Sequence, residues 1–197
     1  MEQYTELQNQ FVDLLLVALG TRDAYTREHS ARLALMAREI SIMLNLSSVE
    51  IKKNVLAAKL HDIGKIGISD GILLKPSKLS DEEYTEIKKH PVIGHKMLND
   101  VKIFSHISDY ILYHHERWDG NGYPSGLKEK DIPCGARIIG IVDAVDAMLT
   151  KRAYKEPFSI DIAINELEKN AGSQFDPYIA ELAIKTIKEF KDVFDKK

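Results

Sequence analysis

Two short stretches of the sequence concentrate side chains that bind metal ions. In HDIGK, His61 and Asp62 are adjacent, and Lys65 follows three residues later. In HHERWDGNGYPSGL, which runs from 114 to 127, two adjacent histidines precede a charged loop that glycines interrupt. Imidazole and carboxylate groups are ligands for borderline divalent cations, and a nearby lysine suits an anionic substrate. Together, the two stretches indicate a metal-dependent enzyme that acts on a phosphate ester.

Further polar residues occur where the sequence is otherwise apolar or where a helix is expected to end. His29 and His90 lie near predicted helix ends, and Asp143 and Asp146 interrupt IIGIVDAVDAML. Burial of an unpaired carboxylate is costly, so an aspartate in such a segment needs a cation or a solvated cleft. Asp146 could be an ordinary exposed or capping residue. Alternatively, it could lie behind the site and orient a metal ligand.

The joint pattern predicts a site for two metal ions. Helical bundles build metal sites from side chains on facing helices, and this chain offers more nitrogen and oxygen ligands than one ion can hold. Asp62, which follows a histidine, is the natural bridging carboxylate. Two ions about 3.5–4 Å apart could share a bridging hydroxide and clamp a phosphate. Such a ligand set suits iron, manganese, zinc or nickel, and the sequence does not choose among them.

The overall composition limits other classes of function. The chain has 197 residues and a net charge of −3, so no global basic surface favours polymeric nucleic acid. Its single cysteine, Cys134, excludes an intrachain disulfide and a thiolate-rich metal site, and it fits a reducing cytoplasm. The longest apolar run, 14–19, is too short to span a bilayer and is interpreted as part of a core helix. A cytoplasmic protein without a membrane span is expected.

Helical periodicity dominates the N-terminal part of the chain. Apolar residues recur at spacings of three and four in two successive segments, of which the first closes at Gly20. The first stripe comprises Leu7, Phe11, Leu14, Leu15 and Ala18, and the second comprises Leu33, Met36, Ala37, Ile40 and Leu44. Each stripe predicts an amphipathic helix.

Capping signals and apolar faces place the later helices. Ser47 with Glu50, and Ser80 with Glu83, have the spacing of capping boxes. The first box opens a helix that leads into HDIGK, and the second opens a segment that ends at His90. Further helices are predicted where Ile107, Ile111 and His114 share a face, over 136–149, and from Asp176-Pro177 to about Phe194.

The sequence predicts an all-α fold. Two stretches rich in glycine and proline, 64–77 and 118–133, are predicted to be irregular, and no segment shows strand alternation. No linker or repeat divides the chain. We therefore predict one domain over residues 1–197, built from about nine helices with the metal site at its centre.

Long, ordered motifs make the sequence resemble the HD-GYP family. The HD pair corresponds to His61-Asp62 and the GYP triplet to 122–124. Around them stand HDIGKIGISDGILLKP, HPVIGHKML, HHERWDGNGYPSGL and ARIIGIVDAVDAMLTKRAYK, and the resemblance runs from about Asp23 to Ala183. It implies a helical HD core with extra helices. It also implies phosphodiesterase activity that opens cyclic di-GMP to linear pGpG and, in many members, continues to GMP.

The resemblance implies roles for individual residues. Lys65 resembles the catalytic lysine beside the scissile phosphate, with Asp62 in the metal shell. Arg152 and Lys155 resemble phosphate-binding residues, and Tyr123 could stack on guanine or pack the loop down. The expected cofactors are two divalent ions, iron or manganese first, with zinc, nickel or magnesium as alternatives. The implied metal ligands are His29, His61, Asp62, His90, His114, His115 and Asp143.

One departure from the family concerns the number of ions. Some members place a glutamate four residues before the first metal-binding histidine and use it to hold a third ion. Here that residue is Tyr25, whose phenol is protonated at neutral pH, and Glu28 would point elsewhere on a helix. Two ions are therefore expected. Only about twenty residues precede Asp23, so no receiver domain is expected in this sequence.

Two alternative functions are compatible with these motifs. The same metals could serve an HD-type phosphohydrolase that acts on another nucleotide or cyclic dinucleotide. A catalytically weak dinucleotide sensor or adaptor could instead dock a diguanylate cyclase through the GYP loop, although an intact ligand set with Lys65 favours turnover. The protein partners considered are such a cyclase and a second copy of this chain.

Overall fold

The computed structural model describes residues 2–21, 26–151 and 156–190, and most of them are helical. Among these residues no strand forms, apart from an isolated bridge between Ala171 and Phe175. The predicted all-α class is therefore confirmed. The described residues contain ten α-helices, close to the nine or so expected, although the sequence had placed no separate helix at 70–73, 90–99 or 160–170. The α-helices are α1 (Glu2–Gly20), α2 (Thr26–Met43), α3 (Ser48–Leu60), α4 (Asp70–Leu73), α5 (Asp81–Ile87), α6 (His90–Asn99), α7 (Ser108–Tyr113), α8 (Cys134–Leu149), α9 (Ile160–Asn170) and α10 (Pro177–Glu189).

The predicted capping boxes form to different extents. Ser80 accepts the Glu83 backbone N–H while the Glu83 side chain accepts the Ser80 N–H, so the box that opens α5 is complete. At α3, the Ser47 hydroxyl accepts the Glu50 N–H at 3.2 Å. The Glu50 carboxylate is instead bonded to Lys53 at 2.7 Å, and only half of this box forms.

The boundary at His90 differs from the prediction. Helix α5 ends at Ile87, and His90 is the first residue of α6, with Pro91 in the first turn. Proline lacks the N–H that would be unpaired there anyway, so it opens a helix instead of closing one. The stretch 64–77, predicted to be irregular, contains most of a 3-10 helix (Ile63–Gly67) and all of α4.

The last predicted helix begins where expected. Asp176 caps α10 by accepting the backbone N–H groups of Tyr178 and Ile179, and Pro177 occupies the first turn. Helix α10 ends at Glu189. Phe194, the predicted end, lies outside the described residues.

Helix α1 ends at Gly20 as predicted but buries a different face. Residues Val12, Leu16 and Leu19 are at most 7% exposed, whereas Leu7 and Leu14 are 58% and 60% exposed. The apolar run 14–19 is therefore only in part a core segment. The predicted helix is confirmed, but its periodicity did not tell which face would be covered, because both faces of α1 are apolar. Among the described residues no helix, α1 included, has the length and apolar character needed to cross a membrane.

Helices α2 and α8 lie at the centre of the fold and pack against each other. The predicted stripe of α2 is buried from Leu33 to Ile40, and α8 is buried along most of its length. One hydrophobic core reaches from α1 to α10 and includes residues of α3, α6, α7 and α9. Because these helices also carry the polar residues singled out above, the core determines where those residues meet.

Candidate metal centre

The seven predicted metal ligands come from the ends of four helices and from the middle of a fifth. Helices α2 and α6 contribute residues of their first turns. Helices α3 and α7 contribute the pairs that directly follow their last turns, and α8 contributes an internal residue. In chain order the ligands are His29, His61, Asp62, His90, His114, His115 and Asp143.

Six of these residues form two groups of three. The first group is His29, His61 and Asp143, and the second is His90, His114 and His115; within each group the candidate ligand atoms lie within 4.8 Å of one another. The Nε2 atoms of the first two histidines in each group are 3.4 Å apart. Two ligands bound about 2.1 Å from one ion at tetrahedral angles are about 3.4 Å apart, so both groups have spacings that fit a metal ion.

Asp62 lies between the two groups. Its Oδ2 atom is 3.3 Å from Nε2 of His61, and its Oδ1 atom is 3.4 Å from Nε2 of His90. One carboxylate oxygen therefore faces each group, which is the arrangement expected of a bridge between two cations. Lys65 reaches the same place, because its Nζ atom donates to Asp62 Oδ2 at 2.7 Å.

Hydrogen bonds at the outer side of the histidines orient their rings. The Nδ1 atoms of His61, His90 and His114 each donate to the backbone carbonyl three residues earlier, at 2.6–3.0 Å. The Nδ1 atom of His29 donates to Asp146 Oδ2 at 2.7 Å. Because carbonyls and carboxylates only accept hydrogen bonds, they keep the proton on Nδ1 and direct Nε2 toward the centre, as metal-binding histidines require.

Burial and neighbouring charges set the protonation states of the cluster. Burial alone would lower the pKa of His61, but the adjacent Asp62 carboxylate raises it to about 9. Burial and the other histidines lower the pKa of His115 to about 4 and hold that of His114 well below its usual range. Burial opposes ionisation of Asp62, yet Lys65 and His61 keep its pKa well below normal. The Asp62 carboxylate therefore favours the doubly protonated, cationic form of His61.

Gly64 permits the close approach of the HDIGK turn to α6. A Cβ atom at this position would lie 1.9 Å from the backbone oxygen of His90 and 2.5 Å from the nitrogen of Gly94. No side chain fits in that space. The 3-10 helix can therefore lie directly on the first turn of α6, which holds Asp62 within reach of His90.

Tyr123 of the GYP triplet contacts a ligand of the second group. Its ring stacks on His115, with centroids 4.9 Å apart and an interplanar angle of 27°. The ammonium group of Lys88 lies 5.3 Å from the centroid of the Tyr123 ring. Burial raises the pKa of the Tyr123 phenol, so the side chain is neutral at physiological pH. These contacts favour a packing role for Tyr123.

Glu116 ties the GYP loop to the histidine pair, and the sequence did not single it out. Its Oε1 atom accepts the backbone N–H groups of Ser125 at 2.6 Å and Gly126 at 3.0 Å. At Gly122 a Cβ atom would lie 2.5 Å from Cα of Glu116, so the loop folds directly onto this residue. The only signal was its position after two histidines, which in a charged stretch is equally typical of an exposed residue.

The centre is open to solvent on one side. The side chains of Lys65 and Asp143 are 23% and 24% exposed, whereas those of His29, His61 and His90 are at most 3% exposed. A cavity of about 240 Å³ also borders the centre, and its lining includes His115, Asp143, Trp118, Arg137 and Gln174. A substrate would therefore meet Lys65 and Asp143 before it met the buried imidazoles.

The structure leaves three of the predicted residues untested and places Glu28 outside the cluster. Arg152, Lys155 and Tyr25 lie outside the described residues, and their roles stay predictions. Glu28 points away from the first group as expected, because its side chain is 94% exposed and lies 3.9 Å from Arg32.

Comparisons with known proteins identify the family. A family model described as HD domain matches residues 16–179. A cyclic di-GMP phosphodiesterase from Thermotoga maritima is 38% identical over 194 residues, which are 98% of this chain and 53% of that protein. A 3'3'-cGAMP-specific phosphodiesterase from Vibrio cholerae is 35% identical over 192 residues, which are 96% of this chain and 37% of that protein. The chain thus spans about half or less of the length of these relatives.

A solved structure shows the same fold. A cyclic GMP-AMP-specific phosphodiesterase of Vibrio cholerae superimposes with a TM-score of 0.72 at 18% identity, over 94% of this chain and 51% of that chain. The family model covers all seven predicted metal ligands, and the resemblance to HD-GYP proteins is confirmed. The chain therefore belongs to the HD domain family.

Proposed function

We propose that this protein is a metal-dependent phosphodiesterase that hydrolyses cyclic di-GMP to linear pGpG. The observation that carries the proposal is the position of Asp62, which presents one oxygen to each of two histidine-containing groups. Such a pair of sites suits the clamping and hydrolysis of a phosphodiester. The name of the Thermotoga relative, a cyclic di-GMP phosphodiesterase, supports the choice of substrate.

Two divalent ions, iron or manganese, are the proposed cofactors. The first group would hold one ion and the second group the other, with Asp62 as the carboxylate that both groups share. When bound, such ions polarise the phosphodiester and lower the pKa of a water molecule towards neutrality. All the ligands are nitrogen or oxygen atoms, which suits these metals. The outward direction of Glu28 supports two ions over three.

Lys65 is the proposed catalytic cation of the chain. Its ammonium group lies 2.7 Å from the bridging carboxylate, and its side chain is 23% exposed on the open side of the centre. A phosphate bound to cations held beside Asp62 would be close to this charge. Lys65 would then offset the negative charge that develops on the phosphoryl or leaving oxygen during in-line attack.

The remaining residues are proposed to position the ligands and the substrate. Tyr123 stacks on His115 and would restrain that ligand, so we assign it to positioning and not to stacking on guanine. Asp146 would restrain His29 in another way, by accepting a hydrogen bond from its Nδ1 atom at 2.7 Å. Arg152 and Lys155 are proposed to bind the phosphate that does not react.

The test is hydrolysis by anaerobically purified protein reconstituted with Fe²⁺ or Mn²⁺. Cyclic di-GMP, 3'3'-cyclic GMP-AMP and linear pGpG would be supplied separately, and products would be separated by chromatography. The metal-free protein is the control. We expect metal-dependent formation of pGpG from cyclic di-GMP, with slower conversion of pGpG to GMP because the terminal phosphate adds charge that two ions neutralise less well.

The outcome also separates the alternatives. Faster turnover of 3'3'-cyclic GMP-AMP than of cyclic di-GMP would favour a phosphodiesterase that acts on this other cyclic dinucleotide. The name of the Vibrio relative, a 3'3'-cGAMP-specific phosphodiesterase, supports that alternative. Binding of cyclic di-GMP without turnover, in protein shown to contain metal, would contradict the enzymatic proposal and favour a sensor.

A further inference from the structure

A cavity of about 720 Å³ lies between α1, α3 and the segment 102–106. All seven predicted metal ligands are among the described residues, and none of them lines this cavity. Its volume falls within the range of pockets that hold ligands, about 300–1,000 Å³. This α1–α3 groove is therefore a candidate binding site separate from the metal centre.

Aliphatic side chains form the floor of the α1–α3 groove. Leu56 and Ile103 pack against the hydrophobic core and also line the groove. Val49, which is 59% exposed, extends this apolar surface toward solvent. Among the described residues of the lining, His106 is the only one with an aromatic ring, so a nucleobase would find no phenyl or indole surface to stack on. The floor therefore suits aliphatic side chains better than it suits a nucleotide.

The lining of the groove is also basic. Among the described residues it includes no carboxylate, and its five cations are Arg38, Lys52, Lys53, Lys59 and Lys102. Two of them have partners nearby, because Arg38 contacts Glu39 and Lys53 contacts Glu50. The whole chain has a net charge of −3, so this excess of positive charge is a local feature.

Three lysines of the groove keep an uncompensated charge. In the parts of the chain that the structure describes, no carboxylate forms an ion pair with Lys52, Lys59 or Lys102. Lys52 and Lys59 are two turns of α3 apart, or about 10 Å, and lie on one face of the helix. Lys102 belongs to another wall of the groove. Positive charge is thus spread along the aliphatic floor, which suits a ligand with several carboxylates better than one with a single headgroup.

We propose that the α1–α3 groove binds an acidic amphipathic helix of a partner protein. Aliphatic side chains of that helix would cover Val49, Leu56 and Ile103, and its carboxylates would approach the three lysines. A helix presents the same face again after two turns, so glutamates two turns apart match the separation of Lys52 and Lys59. Binding of a helix through its apolar face in a groove is a common mode of recognition. The proposal does not depend on the catalytic function proposed above.

The test is fluorescence anisotropy of a labelled peptide mixed with the full chain. The probe contains two repeats of Leu-Ala-Glu-Leu-Leu-Ala-Glu, which places leucines on one face of a helix and glutamates beside them. We expect saturable binding with a Kd below about 100 µM. The same peptide with glutamine in place of glutamate should bind at least about tenfold more weakly, because the charge complementarity is lost.

Matched variants of the protein separate the groove from general charge. Lys52→Glu with Lys59→Glu should weaken binding of the probe at least about tenfold, because two attractions become repulsions. The control is Lys96→Glu with Lys188→Glu, which makes the same change of charge at exposed lysines of α6 and α10. The control should bind within about twofold of the wild type. Circular dichroism should show that both variants keep the helical fold.

A cross-linking measurement locates the bound peptide. In a Cys134→Ser background, benzophenone maleimide attached at Val49→Cys should photo-cross-link the probe. The control is Ile162→Cys on α9, where the native side chain is 48% exposed and does not line the groove. It should give no cross-link above background.

Absence of saturable binding by the wild type would overturn the proposal. So would equal affinity for the glutamine peptide, an equal loss of affinity in the two pairs of lysine variants, or equal cross-linking at the two cysteine positions. Binding of dodecanoate in the groove without binding of the peptide would assign the groove to a small anion and would also contradict the proposal.

Discussion

Asp62→Asn is the sharpest test of the two-metal centre. The substitution preserves the size and shape of the side chain but replaces one oxygen by an NH2 group, which cannot bind a cation. In the structure, Oδ1 faces His90 at 3.4 Å and Oδ2 faces His61 at 3.3 Å. Whichever way the amide turns, one group loses its bridging ligand completely and the other keeps only a neutral oxygen.

The expected loss follows from this geometry. Removing a residue that merely orients a metal ligand costs about 10- to 100-fold in metal affinity. Loss of a bridging ligand should lower the metal affinity of the group that faces the NH2 by at least about 100-fold, which corresponds to about 2.7 kcal/mol of binding free energy. The Lys65 ammonium, 2.7 Å from Oδ2, would also lose its compensating charge and oppose the binding of cations. We expect at most one tightly bound ion per chain and a fall in kcat of at least about 10³-fold.

The assay is elemental analysis of reconstituted protein after removal of free metal, followed by turnover of cyclic di-GMP. The matched control is Asp109→Asn, in which the same substitution is made at a side chain that is 66% exposed and outside the cluster. The control should bind two ions and keep wild-type kcat. Two ions bound to Asp62→Asn with wild-type affinity would refute the bridging role, even if hydrolysis were lost.

Four further predictions concern charge, loop position and pH. Lys65→Met should keep two ions but lower kcat by about 10²–10³-fold, because one charge contact to the transition state is lost; steady-state kinetics with metal analysis measures both. Arg152→Ala should raise KM more than it lowers kcat, since a contact to the non-reacting phosphate is mostly uniform binding. Glu116→Ala removes the acceptor of two backbone N–H groups and should destabilise the fold by about 1–3 kcal/mol, with faster hydrogen exchange at 122–126. Because Asp62 raises the pKa of His61 to about 9, a proton competes with the metal below that pH. The apparent metal affinity should therefore rise about tenfold per pH unit between about pH 7 and about pH 9 and then level off, as calorimetry can measure.

Each of these predictions has an outcome that contradicts it. An unchanged kcat in Lys65→Met would make Lys65 a structural residue. A pure loss of kcat in Arg152→Ala would place Arg152 at the scissile phosphate. Unaltered exchange at 122–126 in Glu116→Ala would show that other contacts hold the loop. A metal affinity independent of pH would mean that His61 is neutral in the metal-free protein.

The sequence by itself determined the fold class and the identity of the clustered residues. Periodicity at three and four residues and the capping residues Ser80 and Asp176 are local signals, and the all-α class and these helix starts were predicted correctly. The resemblance to HD-GYP motifs implied the seven ligands, and the cost of leaving imidazoles and carboxylates unpaired at helix ends or in apolar segments pointed to the same part of the sequence. That reasoning needs only residue types and their neighbours along the chain.

Only the tertiary structure decided which groups face one another. Nothing local shows that Gly64 must lack a side chain to bring Asp62 against His90, because the obstructing atoms belong to α6. Nor could the sequence show that Glu116 holds the GYP loop, since a buried carboxylate and an exposed one look alike in a charged stretch. The sequence also could not show which face of α1 is covered. Both of its faces are apolar, and burial depends on what the rest of the chain places against each of them.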